Sequence, residues 1–179
     1  YQNKKEKRKF QMKHAYFGTS YDEIKILECL KINEKKIIQQ NCSYNKISND
    51  KELNQIIAKD ISEGKIIGWF QGKMEWGPRA LGNRSILGDP RRKDMKDILN
   101  IKIKRRESFR PFAPSILREH VHEWFENEDE VPFMMKVYQV KENKRSEIPA
   151  VTHVDGSGRL QTVYKDTNEK YYNLITEFY

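Results

Sequence analysis

Residues 76–115 concentrate the side chains best suited to holding an anion. Arg79, Arg84, Arg91, Arg92, Lys102, Lys104, Arg105, Arg106 and Arg110 are spread through the stretches WGPRALGNRSILGDP and NIKIKRRESFRPFAPS. Between them stand Leu81, Ile86, Leu87, Phe109, Phe112 and Ala113, which read as core anchors, so the stretch is not a solvated basic tail. A cation pressed against a packed core is costly without a partner. That partner is an anion, supplied by the protein or by a ligand. The guanidinium fork matches phosphate or carboxylate oxygens in pairs, and lysine adds a compact charge. Phosphate is the anion this mixture suits best.

Three loops carry the chemistry. In WGPRALGNRS, Gly77 and Gly82 permit close backbone approach and Arg79 projects from the turn between them. Free amides, glycine and a nearby cation at a helix start make an anion site, and Pro78 suits a first helical position. The alternative is a tight loop whose arginines pair with Glu75 and Asp89. It is not a Walker A loop, since GxxxxGK[ST] is absent. In KIKRRESFRPFAPS, a turn through Glu107 and Ser108 separates Lys104 from Arg110, and Pro111 and Pro114 stiffen the segment after Arg110. The alternative there is a salt bridge from Glu107 to Lys104 or Arg106. In HVDGSGRLQTV, Arg159 follows two glycines in a predicted hairpin that can reach across a cleft. His153 and Asp155 could form an acid–base couple, but no Ser or Cys nucleophile pattern accompanies them. Asp155 before Gly156 is also ordinary turn chemistry. Trp69, Phe70 and Trp76 flank the first loop and could stack a nucleobase or simply pack a core.

Composition bounds these readings. The chain has 179 residues, enough for one domain with a real core. A net charge of +8 with 37% hydrophobic residues suits a nucleic acid, an anionic membrane or a polyphosphate ligand. No apolar run is long enough to span a bilayer and no signal peptide heads the chain, so no membrane partner is expected. Cys29 and Cys42 lack CxxC spacing, which argues against a disulfide scaffold or zinc site and for a reducing cytoplasm. His14, His120, His122 and His153 are scattered, so no metal site is assigned. Residues 1–9 read as a basic flexible tail, leaving 10–179 as the domain.

The elements that must position these loops alternate. Hydrophobic patterning predicts strands over 10–18, 35–41, 65–71, 85–89, 112–117 and 132–141, and a pair of strands around DGSG within 150–163. Helices are predicted over 21–31 (capped by Thr19 or Ser20), 50–63 (Leu53, Ile56, Ile57 and Ile61 inward, ending at Gly64), 92–104, 120–125 and 168–179. Interleaved strands and helices place the chain in the α/β or α+β class.

The three loops, in this order, resemble the C-terminal domain of the NodU/CmcH-type O-carbamoyltransferases. They stand here as GPRALGNRSI, NIKIKRRESFRPFAPS and DGSGRLQTV, and the resemblance runs from about HAYFGTSYDEI onward. It implies a YrdC-like fold, a twisted open sheet with flanking helices and a basic concave face. It implies a module that converts ATP and carbamoyl phosphate, with Mg²⁺ on the phosphates, to a carbamoyl adenylate. A separate N-terminal catalytic domain holding a metal would then pass the carbamoyl group to a hydroxyl-bearing acceptor. By motif position, Arg79, Lys104, Arg110 and Arg159, with Arg84 and Ser85 of the first loop, would bind substrate and nucleotide. Lys104 and Arg110 would take the catalytic roles, polarising the carbamoyl carbonyl and neutralising phosphate. The N-terminal domain and a TSFN-like segment expected after NLITEFY are not among these residues, so the resemblance implies an incomplete module that could complete itself as a homodimer. The rival reading is a nucleic-acid-binding module using the same basic face, although RNP-type and helix-turn-helix signals are absent.

Overall fold

Capping chemistry sets the helices. The structure is a computed structural model and describes residues 10–179; the predicted basic tail, residues 1–9, lies outside the described residues. Helix α1 (Glu23–Ile32) starts at Asp22, whose side chain accepts from the Lys25 amide at 2.9 Å. The cap is therefore Asp22 and not Thr19 or Ser20, since the helix begins later and Asp caps as well as Ser. Helix α2 (Glu34–Gln39) stands where a strand is predicted over 35–41. Lys35, Lys36 and Gln39 are good helix formers, and no strand among the described residues pairs with this segment to override them.

Helix α3 (Asp50–Ser62) agrees with its prediction. Asn49 accepts from the amides of Lys51 and Glu52 at 2.9 and 3.3 Å, and Gly64 leaves the helix at φ +88°. Its buried face is Asn54, Ala58 and Ile61, so the inward stripe is rotated from the predicted one and Ile56 is exposed. Strands β1 (Ile67–Phe70) and β2 (Arg84–Leu87) pair antiparallel, with Ile67 opposite Leu87 and Phe70 opposite Arg84.

The helix predicted over 92–104 begins at Met95. Helix α4 runs from Met95 to Asp97 and widens into a π-helical turn, Ile98–Ile103, that ends on Lys104. The Lys104 amide bonds the Leu99 carbonyl five residues back, at 2.9 Å. Such widened turns cluster at functional sites because they redirect one side chain without breaking the helix. Strand β3 (Ser115–Leu117) follows, then a 3₁₀ turn into the short helix α5 (Val121–Trp124). Strand β4 (Val137–Gln139) is shorter than the predicted 132–141, because Met134 takes φ +54° and interrupts the extended backbone.

Strands β5 (Ser157–Arg159) and β6 (Gln161–Val163) do not form the predicted hairpin. Asp155–Gly156 closes a tight turn onto the His153 carbonyl, with Gly156 at φ +80°, so both strands lie after the turn. Only Leu160 separates them, and they serve different partners: β5 runs antiparallel to β4, and β6 parallel to β3. Helix α6 (Glu169–Phe178) is capped by Asn168. The strand predicted over 10–18 reduces to one bridge, Tyr16 to Glu75.

The class is mixed α/β, as expected. The resemblance implied one open sheet; among the described residues the strands pair as three two-stranded sheets. Strands of three or four residues between proline- and glycine-rich turns offer few ladder bonds through which to extend. The packing is shared between clusters. One gathers Val121, Phe125, Val140 and Leu160; another sets Tyr171 and Leu174 of α6 against Trp69, Leu87 and Ile57. A third joins Met95 and Leu99 to Ala150. The last two face each other across a cleft. Of the predicted anchors, Leu81 is buried and Phe112 and Ala113 are half-buried, whereas Ile86 and Phe109 are exposed. Among the described residues, no helix is long and apolar enough to cross a membrane.

Candidate functional site

The first loop is held from inside. Glu75 is buried, and its Oε1 accepts from the amides of Leu81, Asn83 and Arg84 at 2.7, 2.8 and 3.2 Å. The loop is thus an anion nest, but the anion filling it is the protein's own carboxylate. No helix starts at Pro78, and this internal carboxylate is the reason the turn closes without one. Gly77 and Gly82 sit at φ +118° and +104°, and a Cβ on Gly82 would lie 2.3 Å from the Tyr171 ring. Both glycines are needed, and between them Arg79 is left facing outward into the cleft.

Arg84 is turned away from that cleft. Its guanidinium donates to the carbonyls of Gln71 (2.6 Å), Asn83 (2.8 Å), Gly72 (3.1 Å) and Thr19 (3.3 Å) and lies 3.6 Å over the Phe70 ring. Arg84 ties the loop to its surroundings, and Phe70 is occupied by that contact. Ser85 lines the cleft while its hydroxyl accepts from the Gly82 amide at 3.0 Å.

The second loop is organised by Asn100, which its place in the sequence does not single out. It is fully buried within the π turn. Its Nδ2 donates to the carbonyls of Ser108 (3.1 Å) and Arg110 (2.8 Å), and its Oδ1 accepts from Arg106 Nε (2.7 Å). One side chain therefore fixes both ends of RRESFR. A signal is present, since an Asn on the inner face of an apolar helical stripe must find partners, but the spacing does not name them. Lys104 and Arg106 line the cleft. Arg110 does not line it; its Nε donates to Glu107 at 2.8 Å on the exposed outer side. Glu107 thus pairs with Arg110, in place of the predicted Lys104 or Arg106.

The third loop brings Arg159 to the cleft on β5. Its Nε is buried and has no hydrogen-bond partner among the described residues. Burial, then the charges of Arg79 and Arg106, push its pKa below the ordinary arginine value. Two neighbouring cations repel it, and among the described residues no carboxylate pairs with it.

These residues meet in a cleft of about 360 Å³. Arg79, Lys96, Lys104, Arg106 and Arg159 line its basic side, and Leu87, Tyr171, Leu174, Ile175 and Phe178 its apolar side. Burial pushes the Tyr171 phenol up to about 12, so it stays a neutral wall. Among the described residues Asp89 is the cleft's one carboxylate, and it is bound in a fork by Arg91 at 2.8–3.1 Å. Among the described residues, Arg79, Lys96, Lys104 and Arg159 make no side-chain hydrogen bond or ion pair, while Arg84, Arg91, Arg92 and Arg110 outside the cleft are paired or bonded. The site therefore separates cations that hold the protein from cations without a partner among the described residues.

The chain is similar to known proteins over most of this region. The family described as Carbamoyltransferase C-terminus matches residues 58–179. Nodulation protein NolNO of Sinorhizobium fredii is 53% identical over 124 residues, 68% of this chain and 18% of that protein. Nodulation protein NolO of Bradyrhizobium diazoefficiens is 48% identical over 135 residues, 74% of this chain and 25% of that protein. The 3′-hydroxymethylcephem-O-carbamoyltransferase of Amycolatopsis lactamdurans is 42% identical over 118 residues, 66% of this chain and 22% of that protein. The chain spans about a fifth to a quarter of the length of these relatives.

Proposed function

The chain belongs to the carbamoyltransferase C-terminal family, and from that premise we propose that its cleft binds ATP and carbamoyl phosphate and forms a carbamoyl adenylate. The observation that best supports this reading is the set of unpaired cations, Arg79, Lys96, Lys104 and Arg159, around one cleft whose carboxylate is already taken. Phosphate oxygens relieve the mutual repulsion that these cations suffer in the free protein. ATP, carbamoyl phosphate and water give carbamoyl adenylate, pyrophosphate and orthophosphate. Negative charge builds on the departing phosphates, and cations fixed in advance stabilise it without reorganising. The apolar wall from Leu87 to Phe178 suits the nucleotide base.

Lys104 already faces the cleft. Arg110 reaches a ligand by leaving Glu107, an exposed pair worth about 0–1 kcal/mol, and Pro111 beside it is part of the cleft wall. Mg²⁺ finds no free carboxylate here: Asp89 is engaged by Arg91, and among the described residues no His, Cys, Asp or Glu cluster could hold a metal. A metal would enter on the nucleotide's own phosphates. The carbamoyl group would pass to a hydroxyl acceptor in another domain of the longer polypeptide.

Pyrophosphate release from ATP, with and without carbamoyl phosphate, tests the reading on the protein containing this domain. The expected result is release that depends on carbamoyl phosphate and falls at least about tenfold in Arg159→Ala, the loss of one charge-assisted contact. Release indifferent to carbamoyl phosphate, or unchanged in that variant, would overturn it.

A further inference from the structure

Arg79 makes no side-chain hydrogen bond or ion pair among the described residues, so the backbone that carries it sets its place in the cleft. That backbone turns between Trp76 and Leu81. Two consecutive residues from far away in the chain hold it at both ends. The Trp76 amide donates to the Ala15 carbonyl at 2.6 Å, and the Leu81 carbonyl accepts from the Tyr16 hydroxyl at 2.8 Å. The next residues run on beside the same loop. The Gly18 amide donates to the Met74 carbonyl at 2.8 Å, and the Met74 amide donates to the Thr19 carbonyl at 2.9 Å. Ala15 and Leu81 are buried together with Met134, and Tyr16 packs against them, so the turn is held from the core.

The Tyr16 hydroxyl also reaches the opposite wall. Its one proton goes to Leu81, because a carbonyl only accepts, and its oxygen accepts from Asn168 Nδ2 at 3.0 Å. Asn168 caps α6, whose Tyr171, Leu174, Ile175 and Phe178 line the cleft. One hydroxyl thus joins the Arg79 turn to the helix facing it. Burial holds the phenol above its ordinary 10.0, so it remains a neutral donor at neutral pH. Residues 15–19 do not line the cleft, and all precede residue 58, where the match to the C-terminal family begins.

We propose that Tyr16 is a positioning residue for the cleft: residues 15–19 form a strap that grips the Arg79 turn at both ends, and the Tyr16 hydroxyl holds Arg79 in register with α6 for phosphate binding. This rests on the reading of the cleft as a phosphate site. Its consequence is that ligand affinity is set in part by a segment that touches no ligand and lies outside the family's matched residues. The coupling is reciprocal, so a ligand that fixes the Arg79 turn also fixes the strap.

Calorimetric titration of the chain with ATP, in wild type, Tyr16→Phe, Arg79→Ala and the double variant, tests this. Tyr16→Phe keeps the ring, and Gln161 Nε2 still donates to the Leu81 carbonyl at 2.8 Å, so the variant should fold with a small loss in melting temperature. It should weaken ATP binding by roughly three- to tenfold, the effect of one hydrogen bond. In the Arg79→Ala background the same change should cost less than about twofold, because no Arg79 is left to misplace, while in Lys104→Ala its full effect should remain. No loss in Tyr16→Phe, or an equal loss with and without Arg79, would mark a merely structural hydroxyl and overturn the assignment. Wild type alone supplies a second check: saturating ATP should slow hydrogen exchange at the Gly18 and Trp76 amides by at least about threefold. Unchanged exchange at both would also overturn it. Wild type that binds no ATP, or Arg79→Ala that binds it as well as wild type, would sink the phosphate reading of the cleft, and this inference with it.

Discussion

Each cation in the three loops is defined by what it touches. Arg84 and Arg91 are consumed by carbonyls and by Asp89, so their removal should loosen the loops before it affects a ligand. Lys104 and Arg159 are free to bind. Lys104→Ala should weaken carbamoyl phosphate or ATP binding by about 1.5–3 kcal/mol, roughly ten- to a hundredfold, with little change in thermal stability. Calorimetry beside a melting curve separates the two effects. Arg110 lies between these cases. Glu107 competes with any ligand for it across an exposed pair, so Glu107→Gln should leave ligand affinity equal or higher, while Arg110→Ala lowers it. A loss of affinity in Glu107→Gln would show that Glu107 itself contacts ligand or shapes the loop.

At the scale of elements, buried polar side chains do the positioning. Asn100 closes the loop after α4 with bonds to Ser108, Arg110 and Arg106. Asn100→Ala leaves two carbonyls and a guanidinium without their partner, which should cost about 2–4 kcal/mol. Ligand affinity should fall with it, because Lys104 and Arg106 lose their fixed setting. Thermal unfolding and ATP titration of this variant should move together; a stable variant with intact binding would show the loop is held by something else. The first loop has its own tight point. Gly82→Ala places a Cβ into the Tyr171 ring at φ +104°, so it should destabilise by several kcal/mol, and shrinking Tyr171 to Leu should restore only the part due to the clash.

At the scale of the molecule, α6 and Arg159 of β5 line one cleft, and His153 lies in the turn that leads into β5. His153 titrates lower in the folded chain than its ordinary 6.5. Between those two values the unfolded chain holds more protons, so stability should fall as pH drops below about 6.5 and level off once the folded value is passed. Melting temperatures across pH 5–8, with His153→Gln for comparison, check the sign; the variant's curve should be flatter.

The sequence alone was enough for the family, because the order of the three motifs pointed to it. Mixed α/β character, the extents of α3 and α6, and β1 and β2 were also readable, because caps and periodicity are local signals. Local signals could not decide pairings. KKIIQQ is equally good as strand or helix, and only the lack of a strand partner made it α2. DGSGRLQTV looked like a hairpin, yet its strands went to β4 and β3 because the Asp155–Gly156 turn closed before them. Which arginines are free was likewise a tertiary matter. A guanidinium takes whichever carboxylate or carbonyl the fold brings within about 3 Å, and spacing along the chain does not set that distance. Glu75 went to backbone amides, Asp89 to Arg91 and Glu107 to Arg110, leaving Arg79, Lys104 and Arg159 facing the cleft unpaired.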